Sequence, residues 1–191
     1  RRPWFVGMSA FTAEVPENRW IQDRQNFLSV FHDRAGLIIG GGNTKLQPLW
    51  STFSVGDTSL LRHTPGDEEP KFRTDGELVH VPDEVTITPD EHKPQIALRY
   101  GDVLCNVAVS LDSDERLEIV YSCDGTSGLT VEAHLTLISN MDEPLVLPSG
   151  QTVSLPDDHV DLMCEDGGIV EHSGWRIEAP ENSRIVWPAL P

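Results

Sequence analysis

The chain has 191 residues, long enough to bury a sizeable core, and a single domain spanning 1–191 is expected. Its 14 basic and 31 acidic residues give a net charge of -17. That balance excludes nucleic acid as the expected partner, because phosphate binding rests on clustered Lys and Arg. No apolar run reaches the roughly 18 residues a membrane span requires, so no membrane partner is predicted either.

In chain order, Met8 to Phe11 reads as a first short strand, and Val15 to Trp20 as a loop. Asn26 to His32 alternates with the two-residue period of a strand, Asp33-Arg34-Ala35-Gly36 forms a turn, and Leu37-Ile38-Ile39 runs back, so this opening ribbon is predicted to be a hairpin. Gly40-Gly41-Gly42 follows, a stretch where the backbone can bend or let a ligand approach closely. It lacks the GxxxxGK[ST] spacing of a phosphate loop. Leu49 to Val55 alternates again as a third strand, and Thr64 to Lys71 is an exposed loop with two prolines.

Strands are then predicted at Glu77 to Val81, Glu84 to Thr88, Ile96 to Tyr100 and Val103 to Leu111, the last two joined at Gly101-Asp102. In Val103 to Leu111 the thiol of Cys105 shares a face with Val103, Val107, Val109 and Leu111 and is expected in the core. Arg116 to Ser122 and Leu129 to Leu137 read as the arms of a further hairpin turning at Asp124 to Gly128. Short strands continue at Leu145 to Leu147, Gln151 to Leu155, Val160 to Cys164, Gly168 to Glu171, Trp175 to Glu178 and Arg184 to Trp187. With no helical stripe in any window of 12 residues, the fold class is all-β with very little helix, and two stacked antiparallel sheets forming a sandwich are expected. The three cysteines have no CxxC spacing, which speaks against a zinc ribbon or a thioredoxin-like site. The chain opens on Arg1-Arg2 and closes just after an apolar strand, and it reads as a piece of a longer protein.

Polar residues suited to a ligand crowd the opening ribbon. Arg24, Asn26, Asn43, Lys45 and Trp50 are the expected substrate-binding set, cations and amides that can hold a polar ligand beside an indole with room for sugar stacking. His32, followed by Asp33 and Arg34, is the candidate catalytic group, since an imidazole there could act as a base. Glu132 and His134, two apart on a strand, point the same way and suit a binding platform or a metal pair, with solvent exposure as the plain alternative. Asp157 to Asp161 and Asp112 to Glu115 carry the oxygens of a hard-cation loop but equally those of a charged turn. No cofactor is predicted, and bound calcium is the one open option.

Two stretches carry a family resemblance: Leu117 to Tyr121 leading into Val131 to Leu145 with its Asn140-Met141-Asp142-Glu143-Pro144-Leu145 turn, and the ribbon from Phe27 to Gly42. Together they resemble the β-supersandwich domain of galactose mutarotase-like proteins and of heparinase II/III-like polysaccharide lyases. The resemblance implies a carbohydrate-associated module that binds an acidic saccharide. It also implies a neighbouring helical domain that supplies the catalytic tyrosine of a lyase, with His32 matching the cleft-facing histidine by position. A module that serves only to pack a neighbouring domain is the alternative.

Overall fold

A computed structural model describes residues 3–12, 26–40, 52–56, 78–79, 82–125 and 128–187. Among these there is no helix, and the strands form several antiparallel sheets. The chain divides into two compact units, one made of Arg1–Asp33 with Ile39–Leu137, the other of Arg34–Ile38 with Ile138–Pro191.

In the first unit, β1 (Trp4–Ser9) pairs along its whole length with β2 (Phe27–His32), from Trp4 opposite His32 to Ser9 opposite Phe27. The strand expected at Met8 to Phe11 therefore begins four residues earlier, because its extent follows the partner it pairs with rather than its own apolar content. Gly36, at φ 76°, closes the predicted turn after β2 and opens β3 (Gly36–Ile39), of which Gly36 to Ile38 belongs to the second unit and Ile39 to the first. A second small sheet has β4 (Phe53–Gly56) between β5 (Leu78–Val79) and β10 (Val131–Ala133). Leu49 to Ser51 of the expected third strand, the Val15 to Trp20 loop and the Thr64 to Lys71 loop lie outside the described residues.

The third sheet is the regular meander β6 (Glu84–Thr88), β7 (Gln95–Tyr100), β8 (Val103–Leu111), β9 (Leu117–Asp124). In β8 the odd residues Val103, Cys105, Val107 and Val109 are buried, as the alternation requires, and in β7 Ile96, Leu98 and Tyr100 are buried with them. Gly101, at φ 59°, makes the predicted turn between these two strands.

One predicted hairpin does not form. Leu129 to Leu137 does not pair with β9; β9 pairs with β8, and the segment after it splits its pairing. Val131–Ala133 joins β4, and Thr136 O then accepts Gly40 N at 3.0 Å beside an isolated bridge from Leu137 to Ile39. An apolar alternation specifies which face a strand buries but not which neighbour it takes, and here two separate partners divide one alternating run. Gly125 helps to redirect the chain: its backbone has φ 156° and packs so tightly that a Cβ there would lie 2.6 Å from Asp102 O.

The second unit has a four-stranded sheet in the order β12 (Thr152–Val153), β11 (Leu145–Val146), β14 (Gly168–His172), β15 (Trp175–Ala179), and a pair formed by β13 (Val160–Cys164) and β16 (Ser183–Trp187). Leu145, Leu147, Val153, Leu155, Val160 and Val170 make its core, with Leu162, Ile185 and Trp187 packed against them. Trp187 donates its indole N–H to Leu155 O at 2.8 Å, so the largest ring is held by a polar contact as well as by burial. Between β14 and β15, Ser173 and Gly174 both have positive φ, 44° and 81°, the conformation that a two-residue hairpin of matching twist demands.

Gly125→Ala is expected to lower stability by about 2 kcal/mol or more, since the new methyl runs into the backbone of Asp102 and Val103. Gly36→Ala, where a Cβ meets nothing within 4 Å, should cost only the left-handed backbone, about 1 kcal/mol. Paired thermal melts of the two variants check the ranking.

Candidate functional site

Of the residues expected to hold a ligand, Arg24, Asn43, Lys45 and Trp50 lie outside the described residues. Asn26 and His32 are described, and both lie on the buried face of β2, at either end of Leu28 and Val30. Six residues at about 3.4 Å each separate them by roughly 20 Å. They do not converge on one point.

Asn26 is fully buried and works as a splice between three segments. Its Oδ1 accepts Phe11 N at 2.6 Å and its Nδ2 donates to Phe11 O at 3.2 Å, so the side-chain amide imitates a backbone ladder. Its own carbonyl accepts Thr52 N at 2.8 Å and Thr52 Oγ1 at 3.0 Å. His32 packs edge-on against the Trp4 indole, with ring centroids 4.5 Å apart. Its Nε2 donates to Asp114 O at 3.1 Å, since a carbonyl can only accept, and Trp4 Nε1 donates to Ser113 O at 3.0 Å. At that nitrogen His32 is therefore a donor and not a base. The pair fastens the first ribbon to the turn between β8 and β9.

Glu132 and His134 share a face, as their spacing predicts. The partner that the sequence did not single out is Ser54, directly across from Glu132, whose Oγ lies 2.8 Å from His134 Nε2. A serine hydroxyl on an imidazole is the contact that activates a nucleophile. Ser54, however, is buried on the central strand of its sheet, between the buried Phe53 and Val55. Burial holds the His134 imidazolium below its ordinary pKa, and the nearby Glu132 carboxylate opposes this only in part.

The acidic turns are engaged with their own chain. Asp158 and Asp157 accept from Ser154 N and Ser154 Oγ at 2.8 and 2.9 Å, and Asp161 takes Arg184 through two contacts of 2.7 and 2.6 Å. That guanidinium lowers the Asp161 carboxyl pKa. Among the described residues no three His, Cys, Asp or Glu side chains group as a metal site. In the second unit His172, also missed by the sequence reading, accepts Asn140 N at Nε2 and donates from Nδ1 to Pro144 O, both at 2.9 Å. It thereby clasps the two ends of the Asn140 to Leu145 turn from within.

Among the described residues of the first unit, two surfaces are of interest. One is a groove of about 550 Å³ between β1 and the turn after β6, lined by Trp4, Val6, Met8, Ile87 and Leu111, with Asp90 and Glu91 on its rim. The backbone N–H groups of His92 and Lys93 hold the Asp90 carboxyl below its ordinary pKa, so that rim is negative. The other is the outer face of the ribbon. Phe5 and Phe31 stand directly opposite each other there, both exposed, and the Phe5 ring lies 3.7 Å from where a Cβ on Gly7 would be, with Ser29 alongside. Exposed aromatic rings with small residues beside them are groups on which an apolar ring face can stack.

Comparison of the chain with protein-family models, with curated proteins and with solved structures gives no match.

The lowered His134 pKa sets a sign for the pH dependence. Its native value lies below the unfolded value of 6.5, so its contribution to stability is present above 6.5 and is lost as pH falls through the native value. Melts taken from about pH 7.5 down to about pH 5 should show falling stability, and His134→Gln should flatten that slope.

Proposed function

We propose that the chain is a carbohydrate-associated β-module whose first-unit sheets stack in two layers, and that it holds a saccharide on the outer face of the β1–β2 ribbon. The observation that carries this is the exposed Phe5–Phe31 pair, opposite each other in the ladder and beside Gly7 and Ser29. Sugar rings present apolar C–H faces that stack on such rings while their hydroxyls stay hydrated. The acidic groove rim would repel a uronate, so an acidic saccharide is assigned to the aromatic face. Arg24 and Lys45, which flank the ribbon in sequence, would supply the neutralising charge, with Asn43 and Trp50 reading hydroxyls and a ring face. Asn26 and His32 set the shape of the ribbon beneath it. By its resemblance to heparinase II/III-like lyases, the module would accompany a helical domain that performs the elimination, His32 assisting at most.

A second reading is favoured by the same exposure: Phe5, Phe11 and Phe31 would serve as a packing face for that neighbouring domain. Calorimetric titration with uronate-containing and neutral oligosaccharides separates the two. The saccharide reading predicts binding by the uronate series, weakened about tenfold by Phe5→Ala or Phe31→Ala, a loss of about 1.4 kcal/mol for each ring. Absence of heat with every oligosaccharide favours the packing face.

A further inference from the structure

Cys105 on β8 and Cys123 on β9 are directly opposite each other in the antiparallel register, and both are free thiols. The hydrogen-bond phase of the ladder decides what that means. Val109 N donates to Pro94 O and Leu111 N to His92 O, which places the odd-numbered amides of β8 on the β7 side. The even-numbered residues of β8 therefore bond to β9, and Cys105–Cys123, like Val107–Tyr121 and Val109–Ile119, is a non-hydrogen-bonded pair. Such pairs have the closer Cα separation, about 4.5 Å, with both side chains on one face, within the range a disulfide spans. Cys105 is fully buried and Cys123 exposed. One thiol is thus open to a reagent, and the other waits beside it.

We propose that Cys105 and Cys123 form a redox-active dithiol, which a low-molecular-weight disulfide oxidises to a cross-strand disulfide joining β8 to the outer strand β9. The Cys123 thiolate attacks one sulfur of the small disulfide, forming a mixed disulfide and expelling the first small thiolate. Cys105 then gives up its proton to solvent, and its sulfur attacks the sulfur of Cys123, expelling the second. The protein loses two electrons and two protons, and the small disulfide is reduced to two thiols. Burial, with the Cys123 sulfur adding to it, pushes the Cys105 thiol up to about 12. The second step is accordingly the slow one, and it quickens by about tenfold for each unit of rising pH.

The test treats the full chain with cystamine, whose cationic ends suit an acidic protein, and follows mass and thiol content. The titre in denaturant should fall from three thiols to one, with Cys164 remaining, and a non-reducing digest should hold a peptide linking β8 to β9. Cys105→Ala should instead stop at a stable cysteamine adduct on Cys123, and Cys123→Ser should block both steps. A cysteamine adduct that persists on the unaltered chain at high pH, a titre that stays at three, or a link through Cys164 would each overturn the assignment.

Discussion

β8 is an inner strand of the third sheet, paired with β7 along Val103 to Ala108 and with β9 along Leu104 to Leu111, and the first unit depends on that double pairing. A strand so placed has every backbone N–H and C=O directed at a neighbour, so its register cannot slip by one residue without turning Val103, Cys105, Val107 and Val109 out of the core. Burying four such side chains contributes on the order of 1.5–3 kcal/mol each for the valines. Register thus follows from burial, and the phase of the hydrogen bonds follows from register. Both the closeness of the two thiols and the position of the Ser113–Asp114 turn that receives Trp4 and His32 are consequences of this one arrangement.

The sequence made the local elements readable where two constraints coincided. At Gly36 and Gly101 an alternating run ends in a residue that accepts positive φ, and the turns fall where expected. The burial of Cys105 was readable for the same reason. Pairing was less readable. Leu129 to Leu137 alternates without a flaw, yet it divides between β4 and Ile39, because periodicity encodes faces and leaves the choice of neighbour to the rest of the fold.

The polar residues show the same limit. Asn26 and His32 were singled out for their chemistry, and both occupy even steps of a strand whose even positions are buried, so the structure uses them against main-chain groups. The pattern Asn26, Leu28, Val30, His32 already contained that answer, since two polar groups in phase with two core residues face inward with them. Ser54 and His172 had no such signal: their partners, His134 and the Asn140 to Leu145 turn, are distant in sequence. The aromatic face arises likewise from two residues 26 positions apart, Phe5 and Phe31, that only the pairing brings together.

The register of β8 against β9 is tested most directly by proton NMR, because only non-hydrogen-bonded antiparallel pairs bring opposing Hα atoms into close contact. The account predicts strong Hα–Hα cross-peaks for Cys105 with Cys123, Val107 with Tyr121 and Val109 with Ile119. Cross-peaks joining Leu104 to Asp124 and Asn106 to Ser122 in their place would contradict it.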